Sequence, residues 1–227
     1  MTVTLFDQFM SPTLFKISLI TIALIFPWLL HYVNPTRFSS ERFLNIKKVF
    51  ASSLSKHIFL PIGTQGHKWA LLFVSLFVFL ITLNTLGLLP YTFTPTTQFS
   101  LTLALAFPLW LATVIIALRL HLTRTMGHFV PRGAHAYLVP FLAMVETISF
   151  FMRPPALALR LMANLTAGHL MISLISSGAL LLTSILPAAA TLTLILLGLL
   201  TILEIMVAFI QAYVFVLLLS LYLSDSL

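Results

Sequence analysis

The sequence predicts an all-α integral membrane protein with about five to six membrane helices, the last two a long tilted antiparallel hairpin, plus one amphipathic helix on the membrane surface. Three observations predict it. Hydrophobic residues are 60% of the 227 and charged residues 7%, and mean hydropathy is +1.10, far from the balance of a soluble domain. The charges gather between long uncharged stretches. Within residues 154–203 a single formal charge remains, Arg160. Residues 1–227 read as one membrane domain.

Taken in order, residues 17–33 form a first span, an uncharged apolar run containing Pro27 and just long enough for about 30 Å of hydrocarbon. In residues 37–60, Phe43, Ile46, Phe50, Leu54 and Ile58 recur at helical spacing while Glu41, Lys47 and Lys48 lie mostly elsewhere on the wheel. That pattern predicts an amphipathic surface helix, with Ser39 or Ser40 as N-cap; the alternative is a solvated loop. Residues 69–90 and 99–118 are two further uncharged spans. The Thr- and Pro-rich link between them, Tyr91 to Gln98, reads as a short turn on one membrane face.

Orientation follows from the basic residues. Arg37, Arg42, Lys47, Lys48, Lys56 and Lys68 precede the second span, and Arg119, Arg124 and Arg132 follow the third. Alternating spans put both clusters on one side, which is then cytoplasm or matrix, with the N-terminus outward. The net charge of +7 is therefore a topology signal and not a nucleic-acid footprint. The opening MTVTLFDQFMSP has no basic n-region and carries Asp7, so it reads as neither a cleaved secretory signal nor an Arg-rich transit peptide. With no cysteine in the chain, disulfides, thiolate metal sites and iron–sulfur clusters are excluded.

The C-terminal part is expected to fold as two helices, residues 136–183 and 188–224, joined near Ser184 to Ala188 at Leu186-Pro187. The second would be roughly 55 Å long at 1.5 Å per residue, nearly twice the hydrocarbon thickness, so it must lie tilted. In an antiparallel pair, facing residues have a constant index sum. Arg160 with Gln211 and His169 with Glu204 satisfy this about a turn near residue 186.

Those polar residues are the candidate site. An arginine at bilayer depth costs about 2.5–3.5 kcal/mol on insertion scales and keeps its charge. It shares a helical stripe with Arg153, Ala156, Ala163, Asn164, Ala167 and Met171, where small residues admit another helix closely. The alternative is helix packing with a snorkelling arginine. Glu204 and Gln211 lie seven apart on one face, and a lone intramembrane carboxylate lines a cavity or relays protons. His169 exchanges protons near neutral pH. Glu146 lies nearer the basic side and suits either the opposite aqueous compartment or an interfacial charge. No His-Glu-x-x-His sequence or phosphate loop is present. His121, His128 and His135 fall among Gly127, Pro131 and Gly133, which favours a loop over a haem-ligating helix. A secondary transporter would show paired repeats with interrupted helices, and the N-terminal half has no intramembrane charge to match Arg160 or Glu204.

Residues 156–169, ALALRLMANLTAGH, closely resemble the signature of the a subunit (subunit 6) of F-type ATP synthase. Residues 83–98, LNTLGLLPYTFTPTTQ, and the opening LFDQF at 5–9 are similar to the animal mitochondrial form. The resemblance covers essentially the whole chain. It implies a non-catalytic stator subunit without cofactor or metal in the mitochondrial inner membrane, multi-pass, its N-terminus toward the intermembrane space. Its partners would be the c-ring, other membrane-sector and peripheral-stalk subunits, lipid and protons, with no nucleic acid. Arg160 matches the family's essential arginine, which faces the c-ring carboxylate between two proton half-channels. Asn164, His169, Glu204 and Gln211 match the lining of the half-channel open to the intermembrane space, and Glu146 an acidic position on the matrix side. Arg153 departs from many animal versions, which are neutral there.

Overall fold

The protein is described by a computed structural model covering residues 17–31, 68–89, 92–120 and 139–226, with residues 9–10, 13–14, 45, 49–50, 52–53, 56, 127 and 137. The surface helix expected at 37–60 falls, apart from isolated positions, outside the described residues, as do His121, His128 and His135. Five α-helices are described: α1 (Leu19–His31), α2 (Ala70–Gly87), α3 (Phe99–Leu120), α4 (Val139–Ile185) and α5 (Pro187–Ser226). All but α1 are long and apolar enough to cross a membrane. A two-residue antiparallel pair, β1 (Thr13–Leu14) with β2 (Ile17–Ser18), precedes α1. Ile17 and Ser18, expected as the start of the first span, are therefore extended, their backbone committed to the strand pair before the helix begins. Otherwise the architecture is the all-helical membrane fold expected, ending in a helical hairpin.

That hairpin dominates. α4 has 47 residues and α5 has 40, roughly 70 and 60 Å at the rise of an α-helix. The tip is exposed and apolar, with Leu180, Leu181 and Ile185 at least 70% exposed, so its surroundings are hydrocarbon or protein and not water. Length and apolarity together require tilt within a membrane about 30 Å thick in its core. The break between the helices is the single residue Leu186. Its N–H donates to the Leu182 carbonyl at 2.9 Å, and its own carbonyl accepts from Ala190 N–H at 3.1 Å, so both backbone groups of Leu186 are paired, as hydrocarbon demands. Pro187 starts α5 where a missing N–H costs nothing. Pro154 and Pro155 sit inside α4, removing the N–H partners of the carbonyls four residues earlier.

The core lies at the other end, where α2, α3, α4 and α5 meet. Phe73, Phe77 and Leu80 of α2 pack with Ala106 of α3, Leu157, Leu161 and Leu165 of α4, and Phe215, Val216, Leu219 and Leu223 of α5. Ala158, Ala208 and Ala212 are fully buried at these crossings; their small side chains let the backbones approach, which is how helices associate where lipid is as apolar as leucine. Between α2 and α3 the turn Pro95–Thr97 is buried. Thr97 Oγ1 donates to the Thr94 carbonyl at 2.7 Å, so the turn supplies part of its own hydrogen bonding.

Candidate functional site

Two cross-helix contacts place the polar residues of the hairpin. Asn164 Nδ2 on α4 donates to Gln211 Oε1 on α5 at 2.9 Å. About one and a half turns nearer the tip, His169 Nδ1 stands 3.7 Å from Glu204 Oε1, within ion-pair range but beyond a direct hydrogen bond. Both Glu204 and Gln211 are 5% exposed. Glu204 Oε1 is a buried oxygen with no hydrogen-bond partner, an expensive state for a polar atom unless chemistry uses it. The four residues form two polar pairs across the hairpin, a seam one and a half turns long.

Arg160 does not join that seam as its spacing suggested. The expected level for Gln211 was Arg160, whereas the structure gives Gln211 to Asn164, one turn nearer the tip. The paired indices sum to 375 at Asn164–Gln211 and 373 at His169–Glu204, so the helices cross with a slight drift and the shorter side chain meets α5. Arg160 is exposed, and so are Ala156, Ala163, Asn164, Ala167 and Met171. Among the described residues Arg160 makes no hydrogen bond or ion pair. A permanent cation thus lies on an open face of small residues, on the same helix as the seam.

Glu146 stands apart. It is half-buried on α4, 14 positions before Arg160 and so about 21 Å along the axis. Halfway between them, Arg153 holds its guanidinium 5.5 Å from the Phe150 ring centroid and 5.1 Å from that of Tyr222 on α5. Among the described residues, aromatic faces receive this charge. Cation–π contacts are worth about 0.5–2 kcal/mol, so Arg153→Gln is expected to loosen α5 from α4 at this end by about 1–2 kcal/mol. A lower temperature of thermal unfolding of the purified protein would register it, with Arg153→Lys losing less.

Two further residues were not found by sequence reasoning. Asn84 of α2, 1% exposed, donates from Nδ2 to the Ala208 carbonyl at 3.2 Å, tying a third helix to α5 one turn from Glu204. Gly168 lies directly against the Glu204 carboxylate, where an added Cβ would fall 2.7 Å from Oε1. The available signals were an asparagine inside an uncharged span and a glycine beside the only histidine of the hairpin.

The family model described as ATP synthase A chain matches residues 15–224. The chain is 56% identical to the ATP synthase F(0) complex subunit a of Salmo salar, 53% to that of Gadus morhua and 51% to that of Scyliorhinus canicula, covering the full length of this chain and of each relative. On matches that run the full length of the chain, it belongs to the ATP synthase A chain family.

Proposed function

We propose that this chain is the proton-translocating stator subunit of an F-type ATP synthase membrane sector, a non-catalytic component of the mitochondrial inner membrane with its N-terminus toward the intermembrane space. In this reading it provides two offset half-channels that carry protons to and from the carboxylates of a rotating c-ring. The observation that carries the reading is the juxtaposition, on one hairpin, of an open, mostly small-residue face of α4 bearing Arg160 and the cross-helix polar pairs Asn164–Gln211 and His169–Glu204, whose α5 members are buried.

The mechanism follows from electrostatics. Protons arriving from the intermembrane space pass along the seam, between His169 and Glu204, to the open face. A fixed cation opposite a ring carboxylate favours its ionised form, so that carboxylate must give up its proton before passing Arg160. The same cation opposes a proton crossing directly between the half-channels. Protons then ride the ring to the Glu146 side and leave toward the matrix. Each charge moving down 100 mV releases about 2.3 kcal/mol, which the offset converts into rotation.

The test uses the chain's lack of cysteine. A bulky thiol reagent on Ala163→Cys or Ala167→Cys, on the open face, is expected to block ATP-driven proton pumping by the assembled complex. The same reagent on Leu180→Cys, at the exposed tip, should leave pumping intact. Undiminished pumping after modification at both open-face positions would remove that face from the mechanism.

A further inference from the structure

We propose that Arg153 is a binding site for the phosphate of an anionic phospholipid, the headgroup held by its guanidinium and the acyl chains lying on the exposed apolar residues around it. This site is independent of the proton path.

Arg153 is half-buried, and an arginine does not shed its charge. Phe150 on its own helix and Tyr222 on α5 hold the guanidinium at 5.5 and 5.1 Å from their ring centroids. The rings are held in turn. Phe150 lies 5.0 Å from the ring of Trp110 on α3, which is buried, and Tyr222 packs against the core. Three helices therefore fix where this cation stands. Ring faces attract its charge, but they accept none of the hydrogen bonds that its five N–H groups can donate. Among the described residues no oxygen accepts from Arg153 and no carboxylate pairs with it. Glu146 and Arg160 are each seven positions away on α4, about 10 Å along the axis. A half-buried guanidinium whose donors meet no oxygen is a costly arrangement. A planar fork already held in place matches the oxygens of a phosphate two at a time.

The surroundings select a lipid. Arg160, also without an ion pair among the described residues, lies on a stripe of alanines, which leaves room for another helix. Near Arg153 along the two helices are Ile148, Phe151 and Met152 of α4 and Leu221 of α5, all large and exposed. Such a surface suits acyl chains and keeps a further helix backbone at a distance. The level suits a headgroup. Tyr222 is four residues from the end of α5 at Ser226, about 6 Å. The hairpin returns that end to the side on which α3 finishes, with Arg119 in its last turn. Basic side chains between helices near a membrane face bind anionic headgroups. No carboxylate stands beside Arg153 to receive a choline ammonium, so the headgroup that fits carries a net negative charge.

The experiment uses the purified full chain in nanodiscs of phosphatidylcholine. Because the chain has no cysteine, a bimane label can be placed on Met152→Cys, beside Arg153, or on Leu192→Cys, exposed near the tip. Phosphatidylglycerol with a nitroxide at the top of one acyl chain is titrated in, against phosphatidylcholine carrying the same nitroxide. Phosphatidylglycerol is expected to quench the Met152→Cys label at a mole fraction at least threefold lower than phosphatidylcholine does, with no such preference at Leu192→Cys. Arg153→Gln should abolish the preference, and Arg153→Lys should keep only part of it, because an ammonium lacks the fork. Tyr222→Leu retains the charge but removes one ring, and is expected to halve the preference at least; it serves also if Arg153→Gln does not fold. Millimolar inorganic phosphate should leave the quenching unchanged. Equal quenching by the two lipids at Met152→Cys overturns the site. A full preference in Arg153→Gln, or in Tyr222→Leu, overturns it as well. Loss of the preference on adding inorganic phosphate would give the fork to a soluble anion and overturn the lipid.

Discussion

Arg160→Ala is expected to abolish coupled ATP synthesis while the complex still assembles. The two halves of that expectation have separate grounds. Assembly is spared because the side chain is exposed and, among the described residues, neither hydrogen-bonded nor ion-paired, so truncation leaves no partner stranded within the chain. Removing a charge that costs about 2.5–3.5 kcal/mol to hold at bilayer depth can only ease insertion. Coupling is lost because nothing replaces the cation. Two unit charges about 4 Å apart at an effective dielectric constant of 20 interact by about 4 kcal/mol, close to a thousandfold bias toward an ionised ring carboxylate. Without it, protonated carboxylates pass the barrier in either direction. ATP synthesis should fall at least a hundredfold, with proton flux either absent or persisting as a leak insensitive to rotation. Lysine is not an adequate replacement, since its compact ammonium has a different reach and a pKa that burial shifts readily. Normal coupled synthesis in Arg160→Ala vesicles would make the arginine a structural residue and defeat the proposed mechanism.

Glu204→Gln carries the second largest expectation. Glutamine keeps the volume of the side chain and the packing on Gly168, and Oε1 has no hydrogen bond to lose, so the fold should be indifferent. What disappears is the capacity to take and release a proton beside His169. Positioned acid–base groups contribute about 10²–10⁴-fold to proton transfer, and a hundredfold fall in coupled proton uptake is the expected lower end. Acidification of inverted vesicles on adding ATP measures it directly. His169→Gln should lose less, because the imidazole is one-fifth exposed and water has access to that side of the pair. If Glu204→Gln pumps at more than half the wild-type rate, the seam is a packing feature and protons take another path.

Comparing Arg160 with Asn164 shows where sequence reasoning reached and where it stopped. That a cation, a carboxylate, an imidazole and two amides belong to one hairpin was legible from their isolation in apolar sequence and from spacing about Leu186-Pro187. Which of Arg160 and Asn164 meets Gln211 was not, because they lie one turn apart on the same stripe. Only the crossing of α4 and α5 separates them, and that crossing is set by how Leu157, Leu161, Ala208 and Ala212 pack with α2. Asn84 was silent for the same reason: its acceptor, the Ala208 carbonyl, is 124 positions away. Span limits were legible where charge or proline marks them, as at Pro187. They were not at Ile17, which extended pairing with Leu14 withdraws from the helix.

The sequence by itself determined that the chain is an all-helical membrane protein, that its last helices are too long to stand upright, and that Arg160 and Glu204 are its costly residues. Hydrophobic length and the cost of a buried charge are properties of the chain as a line, so a line suffices to read them. The tertiary structure alone decided that Arg160 faces outward with no hydrogen bond or ion pair among the described residues, that Glu204 lies in a notch at Gly168, and that Arg153 rests between aromatic rings. Rotation about a helix axis and the closeness of two backbones arise from packing between residues far apart in sequence, and no local pattern encodes them.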